Sequence, residues 1–557
     1  MSEDFYYRGH DREGGLARLE KAGLLSIDME SVSLNDLTAI GIGCYISPDE
    51  GFYFPIFPNP SPYLPLILGK VSNPDVTKIY HNGIGFDLEV LTRLGEDEGY
   101  DRPDDRGIED TSIMAQVHGL PAALERLGRE WLGADDLFSI KSLFESFACK
   151  DMLGVPEERV AEKCLNDCRT TFRLYEYLKP RLSAEQRDCY SVDRKLIHVL
   201  RTIQSKCLGL RQGVLEEYHD KLTADIIRIE RDCEAEGFHP GSNIQVGFVL
   251  AGRGNVLPFT KGARRQLATG EEVLEDIDDP LAAVVLDYRG KVKLLSSYIR
   301  PWLGKDRAYT RFRLDLATGR LASGRINAWD DVNRNLQNVP PDVRKIFRPD
   351  NRVWTWADWS QQELRILAFM AKDPDMMAEY AKPKPDLHSM LANAAGITRD
   401  QGKTFNFARV YGAGDRQLSR KTKVPMKEVP RVRAILSNLF PVSQQWINYT
   451  MNNHREYSET LFGRRCRLPE PQPDVQVHPK AFEAHVAKCA VNYAIQGTGA
   501  DMAKRAMVRL FEEGADLRLQ VHDELLVDGE WEPEEWLANI HPELKTPFEV
   551  KQGVIWS

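Results

Sequence analysis

The sequence predicts an α/β protein of several domains, and three observations support that prediction. First, the chain has 557 residues, and a domain takes roughly 100–200 residues, so two to four domains are expected. Second, residues 1–180 mix short strand-like runs with helical stretches, whereas residues 181 to about 300 are mostly helical. Third, strand-like sequence returns after residue 311. We therefore predict a front α/β domain, a helical segment and a second α/β region.

The front domain contains three runs that predict strands. They are LLSID at 24–28, AIGIGCYIS at 39–47 and TKIYH at 77–81. The stretch from Ala161 to Leu178 predicts a helix. Between Pro48 and Pro65, prolines stand among aromatic residues, which indicates packed loops between strands rather than a free linker.

The later segments also carry clear local patterns. Amphipathic stretches at 193–207 and 280–303 predict long helices. VWTWAD at 353–358 predicts a strand, and LRLQVHD at 517–523 is expected to pair with ELLVDGE at 524–530 as a hairpin. Thr398 and Gln401 have the spacing of a capping box, so a helix should begin at residue 399.

Composition argues against several classes of protein. No apolar run approaches the roughly 20 residues of a membrane span. The N-terminal MSEDFYYRGHDREGG lacks the apolar segment of a secretory signal. The nine cysteines include no CxxC pair, so we expect free thiols in a reducing cytoplasm.

Charge gives a mixed indication of the partner. The net charge of −10 argues weakly against nucleic acid. Residues 399–433, however, contain ten lysines and arginines against three acids. A solvated helical face would account for this excess, but its strength favours a polyanion as partner.

Two aspartates lie at predicted strand ends. In LQVHDELLV at 519–527, His522, Asp523 and Glu524 separate two apolar runs, which fits either an exposed hairpin tip or a metal site. Asp358 ends VWTWAD, where it could cap the following helix or bind metal. If the two strands are neighbours, the aspartates meet, and carboxylates so placed hold the two ions of an in-line phosphoryl-transfer clamp.

The helix predicted from residue 399 carries the complementary charge. Arg399, Lys403, Phe407 and Tyr411 recur every four residues. A step of four drifts only about 40° around an α-helix, so the four side chains share one face. Two cations followed by two aromatic rings suit a triphosphate, a sugar and a base. Core packing would explain the rings but not the cations.

These residues resemble the motifs of family A (DNA polymerase I-like) DNA polymerases. DWSQQELR at 358–365 is similar to motif A, the helix at 399–412 to motif B (R-x3-K-x3-F-x3-YG), and VHDE at 521–524 to motif C. Further family blocks follow in the expected order: TGRLAS at 318–323, NLQNVP at 335–340, DLH at 386–388, T-x2-GRR at 460–465 and NYAIQGTGAD at 492–501. The resemblance implies a right-hand polymerase with a helical thumb at 181–310, an antiparallel-sheet palm at 311–374 and 456–557, and helical fingers at 375–455.

The resemblance also implies a role for each site residue. Asp358 and Asp523 would bind two Mg²⁺ ions, with Mn²⁺ as an alternative, and Glu524 would be a further catalytic acid. Lys403 would also donate a proton to pyrophosphate. The dNTP would be bound by Gln361, Glu363, His388, Arg399, Lys403, Phe407 and Tyr411. Glu363 among them would exclude ribonucleotides. Primer-template DNA would contact Arg320, Asn338, Arg344, Asn492, Gln496 and His522.

A second resemblance covers residues 20–180. Asp28 and Glu30 share one side of a strand, Asp87 follows HNGIGF, and Asp167 lies in the predicted helix. This order resembles the DEDD 3′–5′ exonucleases, which have an RNase H-like fold, and implies two Mg²⁺ ions on the four acids. Lys163 stands where the family has tyrosine. We therefore expect proofreading that is slower than in a tyrosine-bearing relative, with the lysine turned either to solvent or into the site.

Three other departures from the family pattern bear on the site. Gln362 replaces an apolar residue beside Glu363, and Gly499 replaces a common alanine. Residues 324–334 lengthen a link that is usually short. The first of these departures bears on how the site discriminates sugars and mismatches.

The predicted function is template-directed DNA synthesis with 3′–5′ proofreading, in the replication of a bacteriophage genome. The alternative is a family A polymerase with a weak or structural exonuclease domain that acts in repair. A single-subunit RNA polymerase is opposed by Glu363 and the exonuclease motifs, and a non-catalytic DNA-binding scaffold is opposed by Asp358 and Asp523. The predicted domains leave no room for a 5′-nuclease domain.

The expected partners follow from that function. They are primer-template DNA, dNTPs and a processivity factor or helicase-primase of unknown identity, and no membrane. The expected location is the cytoplasm, that of a bacterial host if a phage encodes the chain.

Overall fold

The computed structural model describes residues 4–33, 36–98, 105–260, 265–314, 318–324, 334–454, 456–471 and 478–556. Most of the lengthened link predicted at 324–334 therefore lies outside the described residues.

The front domain is built on a six-stranded mixed sheet. Its strands are β1 (Tyr6–Arg8), β2 (Leu24–Ser31), β3 (Ala39–Ser47), β4 (Glu50–Pro55), β5 (Thr77–Tyr80) and β6 (Ile108–Asp110). They lie in the order β1-β4-β3-β2-β5-β6, with β2 antiparallel to β3 and parallel to β5. The helices are α1 (Arg12–Lys21), α2 (Leu64–Ser72), α3 (Asp87–Glu98), α4 (Thr111–Val117), α5 (Leu124–Leu132), α6 (Ile140–Phe147) and α7 (Glu157–Leu178). Helix α7 packs across β2 and β3.

The structure confirms the three predicted strands and the predicted helix of this domain. The prediction of loops throughout 48–65 is wrong for β4. Phe52, Tyr53 and Phe54 are all buried, and their backbone pairs with β3. Consecutive aromatic side chains that are buried on both faces favour a strand inside a sheet, which the flanking prolines concealed.

The central segment is mostly helical, as predicted. Its helices are α8 (Ala184–Lys206), α9 (Gln212–Ala235), α10 (Asn243–Gly252), α11 (Glu271–Leu274) and α12 (Pro280–Leu294), which continues through a π turn at Leu295–Ile299. Short strands β7 (Leu208–Leu210), β8 (Arg307–Ala308) and β11 (Phe347–Arg348) form one small sheet, and β9 (Arg311–Arg313) pairs with β10 (Ala322–Gly324).

Strand β12 (Trp354–Trp359) leads into a helical region. Its helices are α13 (Gln362–Ala371), α14 (Pro374–Tyr380), α15 (Leu387–Ala395), α16 (Arg399–Tyr411), α17 (Asp415–Thr422), α18 (Val429–Leu439) and α19 (Pro441–Asn452). The ribbon of β13 (Tyr457–Glu459) and β14 (Arg465–Arg467) precedes the long helix α20 (Pro479–Glu512).

A four-stranded antiparallel sheet completes the fold. Strands β15 (Leu517–Val521), β16 (Glu524–Asp528) and β17 (Phe548–Gly553) join β12 in the order β15-β16-β12-β17. The β15–β16 pairing confirms the predicted hairpin. The 3₁₀ turns lie at Gly83–Gly85, Met152–Gly154, Lys179–Arg181, Arg300–Trp302, Leu336–Asn338, Pro341–Ile346 and Glu535–Ala538.

One hydrophobic core extends from the front-domain sheet along α8 into the four-stranded sheet, and a second core lies among α13–α19. A bilayer-spanning helix needs a long apolar stretch, and none of the helices given above has one.

A buried group of charged side chains joins α8 to α20. Lys504 donates to Asp193 over 2.6 Å, and Arg464 pairs with Asp193 at 2.8 Å and with Asp501 at 2.7 Å. All four side chains are almost fully buried. Charges removed from water in this way are stable only when they are paired, so the group fixes how α8 sits on α20.

Candidate active site

Asp358 and Asp523 lie at the same end of the four-stranded sheet. Asp358 pairs with Glu524 across β12 and β16, and the N–H of Trp359 donates to the carbonyl oxygen of Asp523 over 3.1 Å. His522 and Asp523 form the two-residue turn between β15 and β16, with His522 in the left-handed region at φ 55°. Asp523 therefore belongs to a hairpin turn, as one interpretation predicted, and this turn also places its side chain beside Asp358 in one cleft.

The environment of the two aspartates suits a hard cation. Burial raises the pKa of Asp358 to about 6, and the charge of Asp523 adds to that rise. Burial also raises the pKa of Asp523 to about 6, with Glu363 and Glu524 contributing. Repulsion between carboxylates is relieved by a divalent ion, and carboxylate oxygens are the ligands that Mg²⁺ prefers. The residues present therefore fit the implied metal.

Helix α16 faces the aspartates across the cleft. Thr398 and Gln401 form the predicted capping box, and the helix begins at Arg399. Its predicted face of Arg399, Lys403, Phe407 and Tyr411 lines the cleft, which has a volume of about 750 Å³. The four-residue repeat thus brings two cations and two rings to the cavity that holds the acids.

Some of the basic residues predicted to bind a polyanion pair with other groups of the protein instead. Arg409 is buried and donates to the carbonyl oxygen of Phe440 and to Ser443 Oγ, each over 2.8 Å. Four others form ion pairs with carboxylates: Arg399, Arg420, Arg431 and Arg433. The local charge excess of 399–433 thus overstates the positive surface of this segment.

His388 is held beside the cation face of α16. It is buried, its Nδ1 lies 3.3 Å from Asn406 Nδ2, and its ring lies 5.9 Å from that of Phe407. Burial lowers the pKa of His388 to about 4, and the neighbouring charge of Arg399 lowers it further. His388 is therefore neutral near pH 7 and can offer a hydrogen bond rather than a charge.

Glu363 and Tyr411, which both line the cleft, contact each other. The Tyr411 hydroxyl lies 2.8 and 2.7 Å from the two carboxylate oxygens of Glu363 and donates to that group. Burial raises the pKa of Glu363. Just before it, Gln361 adopts the left-handed region at φ 54° and accepts a hydrogen bond from the Tyr380 hydroxyl over 3.2 Å.

Two departures from the family pattern prove to be neighbours. Gln362 is buried, and a Cβ atom at Gly499 would lie 2.8 Å from its Oε1. Glycine at 499 therefore leaves the room that the glutamine side chain occupies. Neither residue alone would have indicated this compensation, because they are more than a hundred positions apart in the sequence.

Three hydrogen-bonded polar side chains line the side of the cleft next to the β15–β16 hairpin. Arg320 donates to Gln496 Oε1 over 3.2 Å and contacts His522 Nδ1 at 3.1 Å. These are three of the residues predicted to contact DNA, and Asn338 lines the same cleft. Asn492 lies on α20, one turn before Gln496, outside the cleft lining.

Glu524 and Arg344 lie outside the cleft lining and contact each other, at 3.4 Å. Glu524 also accepts a hydrogen bond from Trp556 Nε1 over 2.8 Å, and the Arg344 guanidinium lies 4.2 Å from the centre of the same indole. Their predicted roles as a catalytic acid and a DNA contact stay predictions.

The structure adds cleft residues that sequence reasoning missed. Gln337 donates to the carbonyl oxygen and to Oε1 of Gln520, over 3.1 and 3.0 Å. Glu549 of β17 pairs with Asp358 on the side opposite β16 and adds a fourth carboxylate to the lining, beside those of Asp358, Glu363 and Asp523. Gln337 lies inside the family block NLQNVP, which could have indicated it as a site residue, whereas no sequence motif contains Glu549.

The four predicted acids of the front domain lie near one another, and Lys163 contacts two of them. The ammonium donates to Glu30 Oε1 and to Asp167 Oδ2, each over 2.8 Å. Asp87 accepts a hydrogen bond from the N–H of Met29 over 2.9 Å, and burial raises its pKa to about 7. Lys163 is 7% exposed. Of the two predicted orientations of this side chain, the one into solvent is wrong, because α7 packs against β2 and carries the side chain into the acids.

Comparison with known proteins shows which family the chain resembles and over which residues. The family described as "DNA polymerase family A" matches residues 212–552. DNA polymerase I of Chloroflexus aurantiacus is 30% identical over 618 aligned positions, which cover 97% of this chain and 61% of that protein. The thermostable DNA polymerase I of Thermus aquaticus is 30% identical over 426 positions, 69% of this chain and 50% of that protein. The chain thus spans between half and about three-fifths of the length of these relatives.

A solved structure has the same fold along the whole chain. It is described as the "POL domain of Pol1 from M. smegmatis complex with DNA primer-template and dNTP", with a TM-score of 0.74, 20% sequence identity and 99% of both chains covered. The match of the family across more than half of this sequence agrees with that fold. The chain belongs to DNA polymerase family A.

Proposed function

We propose that the chain is a template-directed DNA polymerase, which adds dNTPs to the 3′ end of a primer. The observation that carries the proposal is the cleft in which Asp358 and Asp523 face the cations and rings of α16. Acids beside a row of cations and aromatic side chains match the parts of a nucleoside triphosphate and its metal ions. The solved structure of similar fold, described as a complex with primer-template and dNTP, supports the same ligands here.

The metal site of this proposal consists of Asp358 and Asp523. Divalent ions bound there, Mg²⁺ or Mn²⁺, would activate the primer 3′-hydroxyl and neutralise charge on the phosphates. Glu549 and Glu363 add negative charge to the same cleft. The protein supplies the oxygen ligands on a rigid sheet, which fixes their positions before substrate arrives.

The side chains of α16 would bind the nucleotide. Arg399 and Lys403 are placed for the phosphates, and Lys403 can hold the proton that the leaving pyrophosphate takes up. Phe407 would pack on the sugar, and Tyr411 would lie beside the templating base. Glu363, held by Tyr411, would fill the space that a ribose 2′-hydroxyl needs.

Arg320, Gln496 and His522 would contact the minor groove of the primer terminus. Their mutual hydrogen bonds hold them at one side of the cleft. Minor-groove acceptors are common to all base pairs, so such contacts check pairing geometry without reading sequence.

The two predicted biological roles differ in whether the front domain is an active exonuclease. Replication of a phage genome with proofreading requires an active front domain, together with a helicase-primase or processivity factor. The position of Lys163 between Glu30 and Asp167 instead favours the alternative, a family A polymerase with a weak or structural exonuclease domain that acts in repair.

A primer-extension assay tests the proposal. The wild-type protein should extend a primer with dNTPs and not with rNTPs, whereas an RNA polymerase would use rNTPs and a scaffold would use neither. Asp358→Ala and Asp523→Ala should each abolish extension, since each removes a metal ligand, and leave DNA affinity in a gel-shift assay nearly unchanged. Near-normal extension by either variant would overturn the two-metal assignment.

A further inference from the structure

The acidic cluster of the front domain contains its own cation. Lys163 donates to Glu30 and to Asp167, each over 2.8 Å. We propose that the Lys163 ammonium occupies the place of a divalent ion in this cluster, so that the front domain neither binds the predicted pair of ions nor excises nucleotides while residue 163 is lysine. This inference concerns the front domain alone and does not depend on the proposed polymerase activity.

Two packed elements, α7 and β2, bring the Lys163 ammonium and the acids together. Lys163 and Asp167 are one turn apart on α7, so their side chains lie on the same helix face. Glu30 comes from β2, against which α7 packs. The Lys163 side chain is only 9% exposed, and those of Glu30 and Asp167 are 4% and 13% exposed. A lysine so enclosed is part of the cluster and is not available to contact the phosphate of a nucleic acid.

The lysine uses the oxygens that metal ions would need. One carboxylate oxygen of Glu30 and one of Asp167 accept from its ammonium, and an oxygen of Asp87 accepts from the N–H of Met29. Lys163 forms ion pairs with Glu30 and Asp167, each at 2.8 Å, and a lysine amine is ordinarily charged near neutral pH. A fixed positive charge among these acids repels a divalent cation by Coulomb's law, most strongly in a buried site.

One carboxylate oxygen of the cluster has no hydrogen-bond partner among the described residues. Asp28 Oδ2 is buried and accepts no hydrogen bond from the described part of the chain. Ligand atoms of Asp28, Glu30 and Cys164 also lie within 4.8 Å of one another. These side chains are therefore close enough together to hold a metal ion, and the side chain at position 163 determines whether an ion binds.

Metal binding tests the proposal without relying on catalysis. The full-length chain carrying Asp358→Asn and Asp523→Asn, which disables the polymerase site, is titrated with Mn²⁺ while the electron paramagnetic resonance signal of the free ion is followed. Adding Lys163→Gln should create Mn²⁺ binding that the parent lacks, and a further Asp28→Asn should remove it. Lys141→Gln is the matched control, because Lys141 is an exposed lysine of the same domain, 86% exposed, and should change nothing.

Three results would overturn the proposal. They are a folded Lys163→Gln variant that gains no Mn²⁺, an equal gain in Lys141→Gln, and a loss of Mn²⁺ when Asp28→Asn is placed in the chain that keeps Lys163. The last measurement remains decisive even if Lys163→Gln fails to fold.

Excision of a mismatched primer gives a second measurement. The water oxygen bonds to phosphorus while the bond to the 3′-oxygen of the shortened primer breaks and that oxygen takes up a proton, which releases a deoxynucleoside 5′-monophosphate. Wild type should be as inactive as Asp28→Ala, and Lys163→Tyr should be faster by roughly ten- to a hundredfold, the usual effect of groups that tune a metal site. Wild-type excision that Asp28→Ala abolishes would show a working metal site and end the proposal.

Discussion

Glu363 and Tyr411 connect the start of α13 to the end of α16 through a hydrogen bond of 2.7–2.8 Å. The bond restrains the Glu363 carboxylate in the first turn of α13. A side chain that must exclude one hydroxyl group has to be held in place, because a mobile one would let the hydroxyl in. In the role proposed for Glu363, its side chain supplies the volume that excludes the hydroxyl group, and Tyr411 restrains that side chain.

Glu363→Ala should raise the ratio of rNTP to dNTP incorporation. Removing pocket volume of this size changes discrimination by about 1–3 kcal/mol, which is roughly 10- to 200-fold in the ratio of kcat/KM. Single-nucleotide insertion with matched dNTP and rNTP measures it. Tyr411→Phe keeps the Glu363 volume and loses only the hydrogen bond, so its effect should be smaller. Equal effects in the two variants would mean that the restraint, and not the volume, discriminates.

At the scale of the element, the N-terminus of α16 determines where its cation face points. The Thr398 hydroxyl accepts a hydrogen bond from the N–H of Gln401 over 3.2 Å, and Gln401 Oε1 accepts from the N–H of Thr398 over 2.9 Å. Gln401 also donates to the carbonyl oxygen of Thr422 over 2.7 Å, which ties this end of α16 to α17. Arg399 lies in this first turn.

Thr398→Ala should destabilise the protein by about 1 kcal/mol, the usual cost of losing a helix N-cap. Because fraying would displace Arg399, we expect the KM for dNTP to rise more than kcat falls. Thr404→Ala is the control, since Thr404 lies inside the same helix, where its hydroxyl donates to the carbonyl oxygen of Asp400 in the preceding turn. A KM change shared by both variants would contradict the capping explanation.

The elements that could be predicted are those whose signals are local. Strand β12, the β15–β16 hairpin and the capping box of α16 each depend on residues within a few positions, and the structure confirms them. Strand β17 was missed because its residues are mostly exposed and its pairing with β12 joins positions far apart in the chain. The direction of Lys163 could not be decided for the same reason, since its partner Glu30 lies on another element.

At the scale of the whole molecule, charged groups hold the segments together. Asp193 of α8 accepts from Lys504 and pairs with Arg464 in a nearly fully buried position. Burial raises the pKa of Asp193, but Arg464 and Lys504 outweigh this and lower it below its usual value. The carboxylate is therefore charged, and its removal would leave two buried cations with one fewer partner.

Asp193→Ala should lower the free energy of unfolding by about 3–5 kcal/mol, the cost of breaking a buried ion pair by removing one member. Asp188→Ala is the control on the same helix. Asp188 is 60% exposed and pairs with Arg505, so its loss should cost about 1 kcal/mol or less. Urea denaturation of both variants measures the difference, and similar midpoints would show that the buried group does not stabilise the junction.

The hydrophobic core that extends from the front-domain sheet into the four-stranded sheet has a practical consequence for anyone who shortens this protein. Helix α8 packs against α4 and β6 on one side and against α20 on the other. Its Tyr190 hydroxyl donates to Glu109 over 2.6 Å and accepts from the N–H of Asp110 over 2.9 Å. A fragment that began near residue 181 would expose this apolar side of α8 to water and would tend to aggregate. We therefore expect the polymerase-like part of the chain to require the front domain as a partner in folding, whether or not that domain has nuclease activity.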